Sequence, residues 1–321
     1  MIEKPTVLIL GAGASKPYGL PLGSELRQKI INRLNLDGDI RYVLLNVGIG
    51  EDQIDAFRVA FELSWAPSID SFLARRAEFA DIGKVAIATI VKSCEWGFFP
   101  LVPLNDPTDH WLQYLWPKLD APWHEFPNNR LRIITFNYDL SLDEFLVKAM
   151  RHTYGKSEQE CREMLLDVVP IHHVYGSVGP GFGPPHLGMN NWVDYFKPDV
   201  VQKLVENIRV IPEGRDDSPD LQMCRAWLLE ADRICFLGFG FDPINLRRLN
   251  AVETIKRKIA DRPQLREVFA SAFGLTAREM QKAAERCGNS PYDRSLHAFP
   301  EGFAPPELKN LETLRLSTIL G

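Results

Sequence analysis

The first fifteen residues constrain this chain's fold most. An apolar run, Thr6-Val7-Leu8-Ile9-Leu10, opens directly into Gly11-Ala12-Gly13-Ala14-Ser15. The run is short, rich in β-branched residues and too apolar for a strand with one wet face. It reads as a strand buried on both faces. Two glycines then allow a sharp turn and a close approach of the backbone to a ligand. A helix N-terminus just beyond would aim free N–H groups at a phosphate. Dinucleotide-binding α/β domains begin in this way.

The fingerprint of a hydride-transferring Rossmann enzyme asks for more. It needs a third glycine at position 16, where this chain has Lys16. It also needs an acidic residue closing a second strand roughly 20 residues on. Here residues 22–34 read as a helix launched from Tyr18-Gly19-Leu20-Pro21, and Asp37 and Asp39 fall in a Gly-containing loop. The turn is therefore compatible with a dinucleotide but does not point to hydride transfer.

The 321 residues suffice for one large domain or two modest ones. With 45% hydrophobic and 25% charged residues the composition is that of a globular protein, and a net charge of -5 gives no general attraction for nucleic acid. Five cysteines, Cys94, Cys161, Cys224, Cys235 and Cys287, form no CxxC pair. That argues against a disulfide framework or a cysteine-rich zinc site and predicts no metal. No signal-peptide pattern and no apolar run of membrane-spanning length occur in the sequence, so a cytoplasmic protein is expected.

Further strands are predicted at 131–135, 168–174, 208–211 and 233–237, the last being the final clear strand. Helical periodicity fills 51–63 and 69–94, where Phe57, Phe61, Phe72 and Phe79 read as core. Trp111, Trp116 and Trp123 are expected to anchor a Pro-rich stretch to the main domain. Strands alternating with helices predict an α/β fold, a Rossmann-like, mostly parallel sheet with helices on both faces. The domain is expected over 1–250, with a helical insertion at about 38–128 and a small lobe at about 179–200. Residues 251–321 read as a helical extension packed on it. In such sheets the ligand crevice lies beyond the carboxyl ends of the strands, and four strand ends here finish in small or polar residues.

Those four ends are GAGASKPYGLPLGSEL at 11–26, TFNYD at 135–139, VYGS at 174–177 and FLGFGFDPIN at 236–245. Together and in this order they resemble the sirtuin-like NAD-binding family. The likeness is closest to its bacterial branch, whose members often consume NAD in antiphage defence. It covers about residues 5–250. The resemblance implies NAD as substrate, with Gly11, Ala12, Gly13, Ala14, Ser15 and Pro21 along the pyrophosphate and adjoining ribose. Asn137 would stand at the family's catalytic asparagine and Asp139 at its following acid. Gly176 and Ser177 would lie in the site, Gly238 and Gly240 at the adenosine side, and Glu213 near a ribose hydroxyl. The family's catalytic histidine precedes the glycine matched by Gly176, where this chain has Tyr175.

Side chains alternate along a strand, so His173 should face the same way as Tyr175, and His172 the opposite way. His173 then either serves the crevice as general base or, with Tyr175, only packs and hydrogen-bonds there. The resemblance thus implies an NAD glycohydrolase that yields nicotinamide and ADP-ribose under some form of control. The alternative is a weak or inactive NAD or ADP-ribose binder on the same fold. Family members often act as oligomers or beside an ATPase or Argonaute-like partner. Neither the paired cysteines nor the Pro-Asp-Phe-Arg element of protein-deacylating sirtuins is present, since Pro21-Leu22-Gly23-Ser24 stands where that element would be.

Overall fold

The computed structural model describes residues 1–98, 111–179, 197–211, 217–261, 267–271 and 282. In chain order the elements begin with β1 (Thr6–Leu10), α1 (Ala12–Ser15), α2 (Gly23–Arg33), α3 (Asp39–Asn46), α4 (Glu51–Leu63), α5 (Ile69–Leu73), α6 (Ala80–Phe98) and α7 (Trp111–Leu119). Then follow β2 (Leu131–Thr135), α8 (Ser141–Tyr154), α9 (Glu158–Val168), β3 (Ile171–His173), α10 (Pro198–Val205), α11 (Pro219–Glu230) and β4 (Arg233–Leu237). The last are α12 (Pro243–Arg248), α13 (Ala251–Asp261) and β5 (Glu267–Ala270).

The strands form one all-parallel sheet in the order β3-β2-β1-β4-β5, a Rossmann-like α/β fold. Every residue of β1 is buried, so both faces of the central strand are covered. Each apolar side chain buried there contributes about 1.5–3 kcal/mol. The chain leaves β1 to build β2 and β3 on one side, then returns to build β4 and β5 on the other. The switch point, where such sheets open a crevice, therefore lies between β1 and β4. Register makes the strand ends level: Leu10 pairs with Thr135 and with Leu237, and Thr135 pairs with His173. Four loops start from one edge.

The described part of the insertion between β1 and β2 is helical and carries an aromatic cluster that belongs to the common core. Phe57 stacks on Phe61 with centroids 5.6 Å apart, and Phe72 and Phe79 meet Phe57 edge-on. Trp111 anchors α7 to the first loop, its indole N–H donating to the Ala14 carbonyl at 2.7 Å. The Tyr18 hydroxyl accepts from Leu112 N at 3.1 Å.

Several expectations need correction. Residues 208–211 are not a strand. Ile208 is buried, and Arg209 N bonds only the Tyr175 carbonyl, so the segment packs without entering the ladder. The third strand is three residues long, because α9 runs to Val168. Asp39 begins α3 and pairs with Arg33 instead of lying in a loop. The sheet also extends past residue 250: β5 adds a fifth strand within the segment read as helical. The lobe expected at 179–200 lies mostly outside the described residues, as does Glu213.

Candidate active site

The turn after β1 and the turn after β4 pack backbone against backbone. Gly11 N donates to Leu237 O at 3.1 Å and Gly13 N to Gly238 O at 2.9 Å. A Cβ on Gly11 would lie 2.6 Å from Gly238 O, and one on Gly13 would lie 2.7 Å from Gly238 Cα. Gly238 has φ +58°, and a Cβ there would meet Ala14 N at 2.0 Å. These three glycines are needed for the two loops to touch at the switch point. The contact is pinned from beyond β5, where the Ser271 hydroxyl accepts from Gly238 N at 2.7 Å and Ser271 N donates to Phe236 O at 2.8 Å.

Over this contact opens a cavity of about 370 Å³. Its floor is Gly11, Ala12, Gly13, Gly238, Phe239 and Gly240. Asn137, Phe136 and Tyr175 come from the β2 and β3 ends, Asp242, Asn245 and Arg248 from α12 and its cap. The insertion supplies Ser68, Asp70 and Ser71. A second large depression among the described residues, about 400 Å³, lies at the amino ends of the strands around Pro5, Arg130 and Trp227, away from every motif residue.

Asn137 is held from three sides. Its backbone N donates to Thr135 Oγ1 at 3.1 Å, and its Nδ2 donates to Gly11 O at 3.0 Å and to Ser15 Oγ at 2.8 Å. With the amide nitrogen engaged, Oδ1 is the atom of this side chain left to accept from a ligand hydroxyl or water. Ala14 and Ser15 lie behind Asn137, lining a space of about 10 Å³ with Asp139, Asp143 and His173. Asp139 accepts from Ser141 N at 3.2 Å and from the Ser141 hydroxyl, at the first residue of α8.

His173 and Tyr175 do not share a direction, contrary to the alternation expected of a strand. β3 ends at His173, and Gly176, at φ +69°, turns the chain. The His173 ring lies behind Asn137, with Nδ1 2.9 Å from the Asn137 carbonyl and Nε2 3.3 Å from Asp143 Oδ2. Burial acts to lower its pKa, but the Asp143 carboxylate and the carbonyl outweigh it, and the pKa lies above the ordinary histidine value. With an acceptor at each nitrogen, the doubly protonated ring satisfies both. His172 is half-buried on the other side of the strand, its pKa lowered by burial.

Tyr175 does face the cavity. Its hydroxyl donates to Asn245 Oδ1 at 2.6 Å and accepts from Arg248 Nη1, and the Arg248 guanidinium lies 5.3 Å from its ring centroid. Burial pushes this phenol's pKa far above the ordinary value. Arg248 is almost fully buried and also donates to Ile211 O at 2.7 Å. Gly176 is a packing position, since a Cβ there would overlap Asn207 O. Gly240 has open space where a Cβ would go. Pro21 and Ser177 border neither space, although Leu22 and Gly23, just after Pro21, border the cavity.

Nothing in the local sequence marks Asp70, Arg248 or Ser271 as site residues. Asp242-Pro243 at least marks the start of the helix that carries Arg248: Asp242 Oδ1 caps Ile244 N at 2.8 Å and Pro243 is its first residue. Among the described residues no group of three His, Cys, Asp or Glu side chains could hold a metal, and no helix is long and apolar enough to cross a membrane. The chain matches no protein-family model, and no curated protein matches its sequence.

Proposed function

We propose that this chain is a cytoplasmic NAD glycohydrolase of the sirtuin-like kind, which cleaves NAD to nicotinamide and ADP-ribose. One observation carries the reading: Asn137, the Gly11–Gly13 turn and the Gly238–Gly240 turn border a single cavity at the switch point. A dinucleotide fits its parts. Small residues let a pyrophosphate approach backbone over the β1 loop. Asn137 Oδ1 offers an acceptor for a ribose hydroxyl or water and keeps its protonation state at any working pH. Cleavage resembles glycoside hydrolysis, with an oxocarbenium-like ribose and a neutral nicotinamide as leaving group. Such an enzyme depletes its host's NAD, which favours a controlled effector of antiphage defence, acting as an oligomer or with an ATPase or Argonaute-like partner.

A second reading, a non-catalytic NAD or ADP-ribose sensor, draws on the position of His173. With both ring nitrogens engaged behind Asn137, that histidine offers the cavity no base. The discriminating experiment incubates purified protein with NAD and follows nicotinamide, alongside calorimetric titration with NAD and ADP-ribose. Nicotinamide release supports the hydrolase. Saturable NAD binding with no release, in every oligomeric state obtained, supports the sensor. Reduction of NAD with an added alcohol or hydroxy acid would overturn both.

A further inference from the structure

Hydrolysis needs a group that can take a proton, and the proposed chemistry leaves that post open. Asn137 cannot take one. Tyr175 is a phenol held well above its ordinary pKa and already donating to Asn245. His173 lies behind Asn137 with both nitrogens engaged. Of the two carboxylates that border the cavity among the described residues, Asp242 caps α12, its Oδ1 accepting from Ile244 N at 2.8 Å and Asn245 N at 3.2 Å. Asp70 remains. It stands on α5, within the insertion, and its Oδ1 accepts from the Tyr138 hydroxyl. The carboxylate also accepts from its own backbone N–H. Tyr138 stacks on Tyr175, with ring centroids 6.1 Å apart, so the carboxylate is braced against the same wall as the cavity's other polar groups.

We infer that Asp70 is the proton acceptor of this crevice, an assignment that rests on the NAD-cleavage reading. As the C1′–N bond breaks, its electron pair goes to the ring nitrogen and nicotinamide leaves neutral. Water oxygen bonds to C1′, and the proton that water gives up goes to the Asp70 carboxylate, later to solvent. The products are ADP-ribose, nicotinamide and one proton, with no oxidant or metal required. The helical insertion thereby supplies a chemical group and does more than roof the sheet. Burial raises the Asp70 pKa above the ordinary aspartate value, while the Tyr138 hydroxyl and the Arg248 charge oppose that rise and the Asp242 charge adds to it. A carboxylate so placed is a better base than a solvated one.

The test compares Asp70→Asn and Asp70→Ala with the wild-type chain, measuring nicotinamide release from pH 4 to 8, NAD binding and thermal unfolding. Asp70→Asn is expected to fold and bind NAD but to release nicotinamide about 100-fold more slowly, with the acid limb of the pH profile gone. Added formate or azide is expected to restore part of the rate in Asp70→Ala, which a purely structural role would not allow. A wild-type rate and an unchanged pH profile in a folded Asp70→Asn overturn the assignment of Asp70 while leaving the cleavage reading intact. Wild-type protein that binds NAD and releases nothing overturns both.

Discussion

Gly13 and Gly238 meet backbone to backbone, with a hydrogen bond of 2.9 Å from Gly13 N to Gly238 O and no room for a methyl group on either. The small residues after β1 therefore serve two purposes, closing the switch point and leaving a bare floor above it. Gly238→Ala would combine positive φ with a clash against Ala14 N and is expected to cost at least about 2 kcal/mol of stability. Gly240→Ala, with open space around the added carbon, should leave stability within about 0.5 kcal/mol and instead weaken NAD binding. Urea unfolding and calorimetry check both. Equal stability losses in the two variants would contradict this division.

Tyr175→Phe removes the hydroxyl that links Arg248 to Asn245. A buried charged donor losing its acceptor should lower stability by about 1–3 kcal/mol. The rate constant for NAD cleavage should change little, within about 0.5 kcal/mol of activation free energy, because a phenol with so high a pKa is no base at neutral pH. A large fall in kcat with stability intact would make Tyr175 part of the chemistry.

The ring of His173 predicts a pH dependence of stability. Its folded pKa is raised above the unfolded value, so its contribution is fully present below about pH 6.5 and is lost as pH rises through the folded value. Asp143 and Asp139 are the charged groups that raise it, with the Asn137 carbonyl as its third partner. The urea midpoint of wild type should exceed that of His173→Gln most in mild acid, and the gap should narrow as pH rises through the folded pKa. A gap that does not change with pH would mean that His173 is neutral in the fold.

Much of the fold can be read from apolar runs alone. β1, β2 and β4 are buried on both faces, and their sequences carry no competing pattern. β5 was missed because Glu267-Val268-Phe269-Ala270 is four residues long and becomes a strand only by pairing with β4. The segment expected as a strand at 208–211 meets the chain only beyond the end of β3, where Arg209 N donates to Tyr175 O at 2.8 Å, so no ladder forms. Asn137 and the glycine turns stand out because they follow strands directly. Asp70 does not, since it lies on a five-residue helix with no motif around it, brought to the crevice by the packing of the insertion. The direction of His173 depended on where β3 stops, which alternation cannot supply.

The assignment of NAD cleavage to Asn137 stands or falls on product analysis in the wild-type chain and in Asn137→Ala. Wild type is expected to give equimolar nicotinamide and ADP-ribose from NAD. Asn137→Ala is expected to release them at least about 100-fold more slowly, in a protein that still unfolds cooperatively. Undiminished release from Asn137→Ala, or NAD bound by wild type with neither product formed, would contradict that assignment.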